Sequence, residues 1–209
     1  PHGGTLVSAI ADSDMIALAE QDSLPTLHAD AMALSDIEQI CHGTYSPIDR
    51  FLGKEELGSV LSENRLLDGT VWPLPIVLPV STDQAGKLSV GQRVAIRGAQ
   101  NHLHSILDVS EIYEADLDAL ASTWFGTRDR NHPGIRSLEG RGSHFVAGKP
   151  TLVAATRELY SPYKLQPATI RDILAQKGWN RVVGFHSRNV AHQVHTHLQF
   201  EALERANAD

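Results

Sequence analysis

The stretch Arg181-Val182-Val183-Gly184-Phe185-His186-Ser187-Arg188-Asn189 runs from an apolar segment directly into a polar turn. Its first five residues, 181–185, predict a short buried strand, and the segment after the turn is predicted to be helical to about Arg205. A helix is also predicted upstream, over residues 168–177, and Gly178 is suited to end it. Helix, strand, turn and helix in this order predict the opening of a Rossmann-like parallel sheet.

The region before this stretch has a different pattern. Up to about residue 155, short apolar segments alternate with Gly and Pro turns, which predicts a small β-barrel with helical decoration. Three prolines make residues 73–80 an edge or barrel strand. Further strands are predicted over 91–97 and 103–113, with a hairpin loop at 81–87.

Two helices are predicted in the first third of the chain. Ser35-Asp36-Ile37-Glu38 resembles a capping box with Ser35 as N-cap, and a second short helix is predicted near residues 54–64. Ser161-Pro162 reads as a linker. The predicted class is therefore α/β, α+β overall, with one domain over residues 1–160 and the start of a second over residues 161–209.

The second domain holds only one predicted strand, although a parallel sheet needs several strand–helix units. We therefore expect either a longer protein of which these residues are part, or a partner that completes the sheet.

Composition limits the classes of function. The 209 residues are 42% apolar and 21% charged, with 18 basic against 25 acidic side chains and a net charge of -7. This surface disfavours nucleic acid and anionic lipid, so neither nucleic acid nor a membrane is an expected partner. The single cysteine, Cys41, excludes an internal disulfide, and no secretory signal or membrane helix is visible. These features predict a cytoplasmic protein.

The densest polar constellation lies between His186 and His197. A strand ends and a helix begins there, and helix N–H groups together with Arg188 would favour an anion. His192 and His195 are three residues apart and so should share one helix face. We predict a cradle for phosphate or sulfate oxygens. For His197 alone, and in part for Arg188 and Asn189, the alternative is an ordinary structural or surface role.

Other chemistry is less well supported by the spacing. Three histidines fall within six residues, but they lack the spacing and carboxylate of a zinc helix, so no metal is predicted. His102 and His104 alternate on a predicted strand and should face the same way, as surface or loop residues. Cys41 is interpreted as a buried structural thiol, and Gly140-Arg141-Gly142 as a turn without phosphate-loop spacing.

The segment from Val182 to His195 resembles the sulfate-binding and HxxH segment of ATP sulfurylase (sulfate adenylyltransferase), which typically reads Phe-Gln-Thr-Arg-Asn-Pro-x-His-x-x-His. Further similar motifs follow the family's order along the chain, so the resemblance covers essentially all of it. They are Pro1-His2-Gly3-Gly4, Gly43-Thr44-Tyr45-Ser46-Pro47-Ile48-Asp49-Arg50-Phe51-Leu52, Arg65-Leu66-Leu67-Asp68-Gly69-Thr70-Val71-Trp72-Pro73-Leu74-Pro75-Ile76 and His132-Pro133-Gly134.

This resemblance implies a PUA-like domain followed by the start of a nucleotidyltransferase domain, sulfate and ATP (with Mg²⁺) as substrates, no organic cofactor, and a homo-oligomer. Arg188 would hold sulfate or a phosphate, with His186 and Ser187 in the same binding turn, and Asn189 would position the nucleotide. His192 and His195 would clamp the ATP phosphates. A fused adenylylsulfate kinase domain would be compatible with the family.

The chain departs from the family pattern at two positions. His186 stands where the family has Gln, which would make anion binding pH-dependent. Val190 replaces a Pro that stiffens the turn. These departures leave open a catalytically degenerate homologue that serves as a scaffold or oligomerisation module. A second alternative is an RNA-binding protein, because PUA-like folds occur in that role, although the acidic charge disfavours it.

Overall fold

The computed structural model describes residues 2–21, 24–156 and 159–209, so Pro1 of the opening motif lies outside the described residues. The chain divides into two compact units, Pro1–Ser161 and Pro162–Asp209, called the first and second unit below. The first unit contains α1 (Ser13–Gln21), β1 (Thr26–His28), α2 (Ala31–Cys41), α3 (Lys54–Glu63), β2 (Pro79–Val80), α4 (Thr82–Ala85), β3 (Arg93–Arg97), β4 (Leu103–Glu114), α5 (Leu117–Phe125), α6 (Pro133–Arg141) and β5 (His144–Leu152). The second contains α7 (Pro167–Lys177) and α8 (Gln193–Ala206).

The described strands of the first unit form one mixed sheet in the order β1-β3-β4-β5-β2. β4 pairs antiparallel with β3 and β5, while β1 runs parallel to β3. Register shifts at Ile96/Arg97 and Val109/Glu111 increase the local twist, and the sheet curls into a half-barrel. The mixed α/β class is confirmed. The proline-rich strand is confirmed at an edge of the sheet, although only Pro79–Val80 pairs as β2.

The core of the first unit lies between this sheet and its helices. Ile37 and Ile40 of α2 are fully buried, as is Phe145 of β5. The Phe145 ring meets the Tyr113 ring edge to face, with centroids 5.6 Å apart. The Tyr113 hydroxyl donates to the carbonyl of Leu52 at 3.0 Å, which satisfies its polar end inside the core.

Three local predictions in the first unit are wrong. α2 begins at Ala31, not after Ser35, because Asp30 is the N-cap and accepts the N–H of Ala33 at 2.8 Å. Ser35 lies inside the helix and is exposed. The segment 81–87 is not a hairpin loop, because its residues Thr82–Ala85 form α4, whose start is fixed by a capping box between Ser81 and Gln84. Gly140 and Arg141 are the last residues of α6, so of the three residues only Gly142, the C-cap at φ 119°, lies outside the helix.

The predicted helix near 54–64 and the strands over 91–97 and 103–113 are confirmed as α3, β3 and β4. In the second unit, α7 confirms the predicted helix, and Gly178 ends it in the left-handed region at φ 70°.

The strand predicted over residues 181–185 is wrong. These residues are not paired as a strand, and no strand occurs in residues 162–209 that could pair with them. The N–H groups of Asn180 and Arg181 instead donate to the carboxylate of Asp209 at 2.6 and 2.9 Å. No residue between 162 and 209 is buried. Among the helices of the described residues, none combines the length and apolarity needed to cross a bilayer.

Candidate functional site

Two histidines build the beginning of α8. His192 is the N-cap, with an extended backbone at φ -137° and ψ 178°, and its Nδ1 accepts the N–H of Val194 at 3.3 Å. The Nδ1 of His195 accepts the N–H of His192 at 3.2 Å. These reciprocal bonds form a capping box in which histidine nitrogens replace the usual Ser, Thr or Glu oxygens.

The same two rings lie against each other and against a phenylalanine. The centroids of His192 and His195 are 4.0 Å apart, with an angle of 47° between the rings. Phe185 meets the His195 ring edge to face at 6.0 Å. His192 and His195 are therefore in contact, with Phe185 beside them, but they do not share a helix face as predicted, because His192 precedes α8 as its N-cap.

The turn before these histidines is held by its own side chain. The hydroxyl of Ser187 donates to the carbonyl of Asn189 at 3.0 Å and accepts the N–H of the same residue at 3.2 Å. Arg188 and His186 are exposed and make no hydrogen bond or ion pair with the described residues. The Arg188 guanidinium is thus available to an anion.

One part of the predicted cradle is wrong. Residues 187–189 were expected to sit at a helix N-terminus, but α8 begins only at Gln193. The N–H groups of His192 and Val194 donate to histidine ring nitrogens and not to the turn. An anion near the turn would therefore rely on Arg188, on exposed backbone, and on the remaining ring N–H groups of His192 and His195.

The arrangement combines one permanent cation with two aromatic donors within a short segment. Arg188 offers a planar fork of N–H donors, which suits sulfate or phosphate oxygens. Within the described parts of the chain, no group of three or more His, Cys, Asp or Glu side chains is arranged to hold a metal ion.

His104 is built into the first unit and differs from the predicted surface residue. It is 4% exposed, whereas His102 is exposed and precedes the strand, so the two do not face the same way. Its Nε2 lies 3.2 Å from Oε1 of Glu38, and its Nδ1 lies 3.3 Å from Oγ of Ser105. The same Glu38 oxygen accepts the N–H of Thr156 at 2.7 Å.

The charges of this buried pair follow from their surroundings. Burial lowers the pKa of His104 below its usual value, and nearby Glu38 opposes this only in part. Burial raises the pKa of Glu38, but the Thr156 N–H and the His104 ring outweigh it, and the net pKa is lowered. At neutral pH, His104 is a neutral donor to an ionised carboxylate.

The interpretation of Cys41 as a structural thiol is confirmed. The side chain is fully buried, and its Sγ donates to the carbonyl of Pro150 at 3.4 Å. Burial raises the pKa of Cys41 to about 12, so thiolate is scarce at neutral pH.

Sequence reasoning missed two features of the site. Phe185 was treated as part of a strand, although its position at the end of the apolar segment could have pointed to contact with the following helix. The capping role of His192 had no comparable signal, because histidine is not among the preferred N-cap residues.

Comparison with known protein families divides the chain in two. Residues 1–155 match the family described as a PUA-like domain, and residues 161–209 match the ATP-sulfurylase family.

Individual relatives match along nearly the whole chain. It is 37% identical over 207 residues to a sulfate adenylyltransferase from Synechococcus sp. (strain JA-3-3Ab), covering 98% of this chain and 53% of the relative. It is 35% identical to a sulfate adenylyltransferase from Symbiobacterium thermophilum, covering 98% of this chain and 52% of the relative. The chain thus spans about half the length of the curated relatives it matches.

A solved structure shares the fold. The hexameric APS kinase from Thiobacillus denitrificans matches with a TM-score of 0.78 at 23% identity, covering all of this chain and 38% of that chain. At this identity the likeness concerns the fold alone.

Proposed function

The chain belongs to the PUA-like domain family over residues 1–155 and to the ATP-sulfurylase family over residues 161–209, and from this premise we propose that it is part of a sulfate adenylyltransferase. The reaction joins sulfate to the α-phosphate of ATP and gives adenosine 5′-phosphosulfate and pyrophosphate. The observation that supports the proposal is the placement of a free Arg188 guanidinium shortly before two contacting histidine rings, inside the segment that matches the ATP-sulfurylase family.

Each side chain of this segment receives a role in the proposal. Arg188 binds sulfate or a phosphate through its planar donors, with His186 and Ser187 beside it in the turn. Asn189 positions the nucleotide. The ring N–H groups of His192 and His195 bind oxygens of the ATP phosphates and the charge that grows on the departing pyrophosphate.

The chemical step needs positioning and charge neutralisation. A sulfate oxygen attacks the α-phosphorus, the bond from that phosphorus to the bridging oxygen breaks, and pyrophosphate leaves with the electron pair. Both reactants are anions, so their repulsion must be offset by fixed donors in the site. No covalent intermediate on the protein is required, which agrees with the buried, protonated state of Cys41.

We propose that the second unit is the beginning of a larger catalytic domain in a longer protein. The relatives are about twice as long as this chain, and no residue between 162 and 209 is buried. A nucleotide bound only to this unit would lack walls for its base and ribose. A fused adenylylsulfate kinase domain, a homo-oligomeric state and a cytoplasmic location stay predictions.

The test uses the natural gene product that carries these residues. We expect sulfate-dependent release of pyrophosphate from MgATP, and Arg188→Ala should lower its turnover by about 10²–10³-fold, the usual effect of removing one donor to a developing charge. Arg205→Ala is the matched control, because Arg205 is an exposed arginine of the same unit whose one ion pair among the described residues is with Glu201. Its turnover should stay near that of the natural protein.

Two outcomes would contradict the proposal. Normal turnover of the Arg188→Ala variant would remove Arg188 from the site. A folded natural protein that releases no pyrophosphate with sulfate and MgATP would favour the degenerate scaffold. His186 and Val190 are the two residues that support this alternative. Val190 is 91% exposed and leaves the turn without the stiffening proline.

Residues 1–209 alone should be almost inactive in the same assay. With only one side of the phosphate clamp present, much of the ~7–11 kcal/mol that positioning can contribute is lost. Turnover comparable to that of the natural gene product would show that the catalytic domain is already complete within this chain.

A further inference from the structure

The hydrogen bonds at the beginning of α8 contain information about where the histidine protons lie. In both bonds the donor is a backbone N–H, of Val194 in one case and of His192 in the other. A backbone N–H can only donate. The ring nitrogens that face them, Nδ1 of His192 and Nδ1 of His195, must therefore accept, and an accepting ring nitrogen carries no hydrogen.

We infer that His192 and His195 are both held as neutral tautomers with their hydrogen on Nε2. A neutral imidazole has one hydrogen, and with Nδ1 engaged as an acceptor in each ring that hydrogen has only Nε2 to occupy. The start of α8 thus presents two ring N–H donors, and the only permanent positive charge in the segment is that of Arg188.

Other protonation states are incompatible with these contacts. A tautomer with its hydrogen on Nδ1 would point an N–H at a backbone N–H and lose the cap. An imidazolium carries hydrogens on both nitrogens and would lose it as well. Two N–H groups at the helix start would then lose their acceptors, and water would have to take the place of the ring nitrogens.

The Phe185 ring contributes to the same arrangement. The Phe185 ring meets the His195 ring edge to face, and the centroid of the His192 ring lies 4.0 Å from that of His195. These two contacts limit rotation of the His195 side chain. Phe185 is therefore a positioning residue for the Nε2–H of His195.

The assignment specifies which oxygens these histidines can bind. This step rests on the proposed function. An Nε2–H group donates and cannot accept, so the two rings suit acceptor oxygens, such as the non-bridging oxygens of an ATP phosphate chain, and cannot take the hydrogen of a ligand donor. A hydroxyl or a protonated phosphate oxygen could be bound only through its lone pairs.

The direct measurement is a long-range ¹H–¹⁵N correlation spectrum of the 209-residue chain labelled with ¹⁵N-histidine, at pH 8. For both His192 and His195 we expect Nδ1 to resonate as a bare ring nitrogen and Nε2 as a protonated one. His197 is the internal control, because it is exposed on the same helix and makes no hydrogen bond with the described residues, so it should show averaged tautomers. Averaged signals from His192 and His195, or hydrogen on Nδ1, would overturn the inference.

A pair of variants separates the cap from the donor. His192→Ser keeps an acceptor oxygen at the N-cap but has no Nε2–H, whereas His192→Ala has neither. Amide exchange of Val194 should be near normal in His192→Ser and about 5-fold faster in His192→Ala, as expected for the loss of an N-cap. Equal exchange in the two variants would show that the His192 ring does not cap the helix. Phe185→Leu should shift the His195 signals toward averaged tautomers, and unchanged signals would remove Phe185 from its positioning role.

Addition of MgATP to the natural gene product, labelled in the same way, distinguishes this inference from the proposed function. Tautomers as expected and a shift of the Nε2 signals would support both. Tautomers as expected with no shift at millimolar MgATP would support the inference and count against binding of nucleotide phosphates at these rings. Shifts in a chain with averaged tautomers would keep the proposed function and overturn the inference.

Discussion

In the first unit, the His104 ring is 4% exposed and both of its nitrogens contact protein side chains, Glu38 and Ser105. In the second unit, the His192 and His195 rings are held only by backbone N–H groups, by each other and by Phe185. Both ring nitrogens of His104 therefore have partners inside the fold, while Nε2 of His192 and of His195 has no hydrogen-bond partner among the described residues. Under the proposed function, the same residue type has an architectural role in the first unit and a chemical role in the second.

The two units also differ in how far their side chains are buried. β3, β4 and β5 contribute fully buried side chains to the first unit, whereas no side chain between residues 162 and 209 is buried. Most of the stability of this chain should therefore come from the first unit. Substitutions in the second unit should act mainly on ligand binding.

The largest expected difference between the units concerns two phenylalanines. Phe145→Ala should lower the free energy of unfolding by about 3–5 kcal/mol, because it empties a fully buried site and removes the edge-to-face contact with Tyr113. Phe200→Ala, at a side chain that is 63% exposed in the second unit, should change it by less than about 0.5 kcal/mol. Urea unfolding of both variants checks this, and similar losses would contradict the contrast.

The second expected effect concerns turnover. In the active natural protein, His192→Ala and His195→Ala should each lower the rate about 10²–10³-fold, the cost of losing one donor to a developing charge. Their unfolding midpoints should move much less. His197→Ala is the control on the same helix and should keep its rate. A His192 or His195 variant with normal turnover would make these histidines architectural, like His104.

A third effect compares how helices are capped. The N-cap of α3 is Gly53, which has no side chain, and Glu111 of β4 supplies the missing acceptor by taking the N–H of Lys54 at 3.1 Å. Glu111→Ala should cost about 1 kcal/mol of unfolding free energy, as other lost caps do. Glu114→Ala, at an exposed neighbour on the same strand, should cost almost nothing. Equal effects of the two substitutions would show that the carboxylate does not cap α3.

The pH dependence of stability should also distinguish the histidines. The pKa of His104 is lowered from 6.5 in the fold, so below pH 6.5 the unfolded chain binds protons more readily and stability falls. Burial lowers the pKa of His42 too, and it adds to this loss. The lowered pKa of Glu38 extends it below pH 4.5.

His104→Gln keeps an N–H donor for Glu38 and removes the titrating ring. Its unfolding free energy should therefore fall less steeply between pH 6.5 and 4.5 than that of the natural chain. Part of the slope that remains should come from His42, whose pKa is also lowered by burial. Identical slopes would mean that His104 is not held neutral by burial.

Sequence reasoning found the elements whose signals are local. α3, β3, β4 and α7 carry their own apolar spacing or end signals. It failed where the environment of a residue is determined by a partner that is distant in the sequence. Glu38 and His104 are 66 positions apart, so nothing near either residue reveals that they meet.

The remaining errors concern the segment 181–185, the start of α2 and the start of α8. The apolar segment 181–185 has strand character, but a strand exists only when a second one lies beside it. At α2, the sequence pattern favoured Ser35 as N-cap, but the helix begins earlier, with Asp30 as its N-cap two residues after the end of β1. For the site, the motif indicated which residues belong together, while the start of α8 depended on an unusual histidine cap.

The contacts of Glu38 with the end of the first unit have a consequence for synthesis on the ribosome. Three contacts need a partner that lies later in the chain. The Glu38 carboxylate accepts the N–H of Thr156, β2 pairs with β5, and the carbonyl of Ala9 accepts the N–H of Leu152. Early, middle and late parts of the unit therefore meet only when its last strand has left the exit tunnel. We expect nascent chains that stop before residue 144 to be degraded readily by protease, and chains whose residue 156 has emerged to become resistant, whether or not the second unit has been translated.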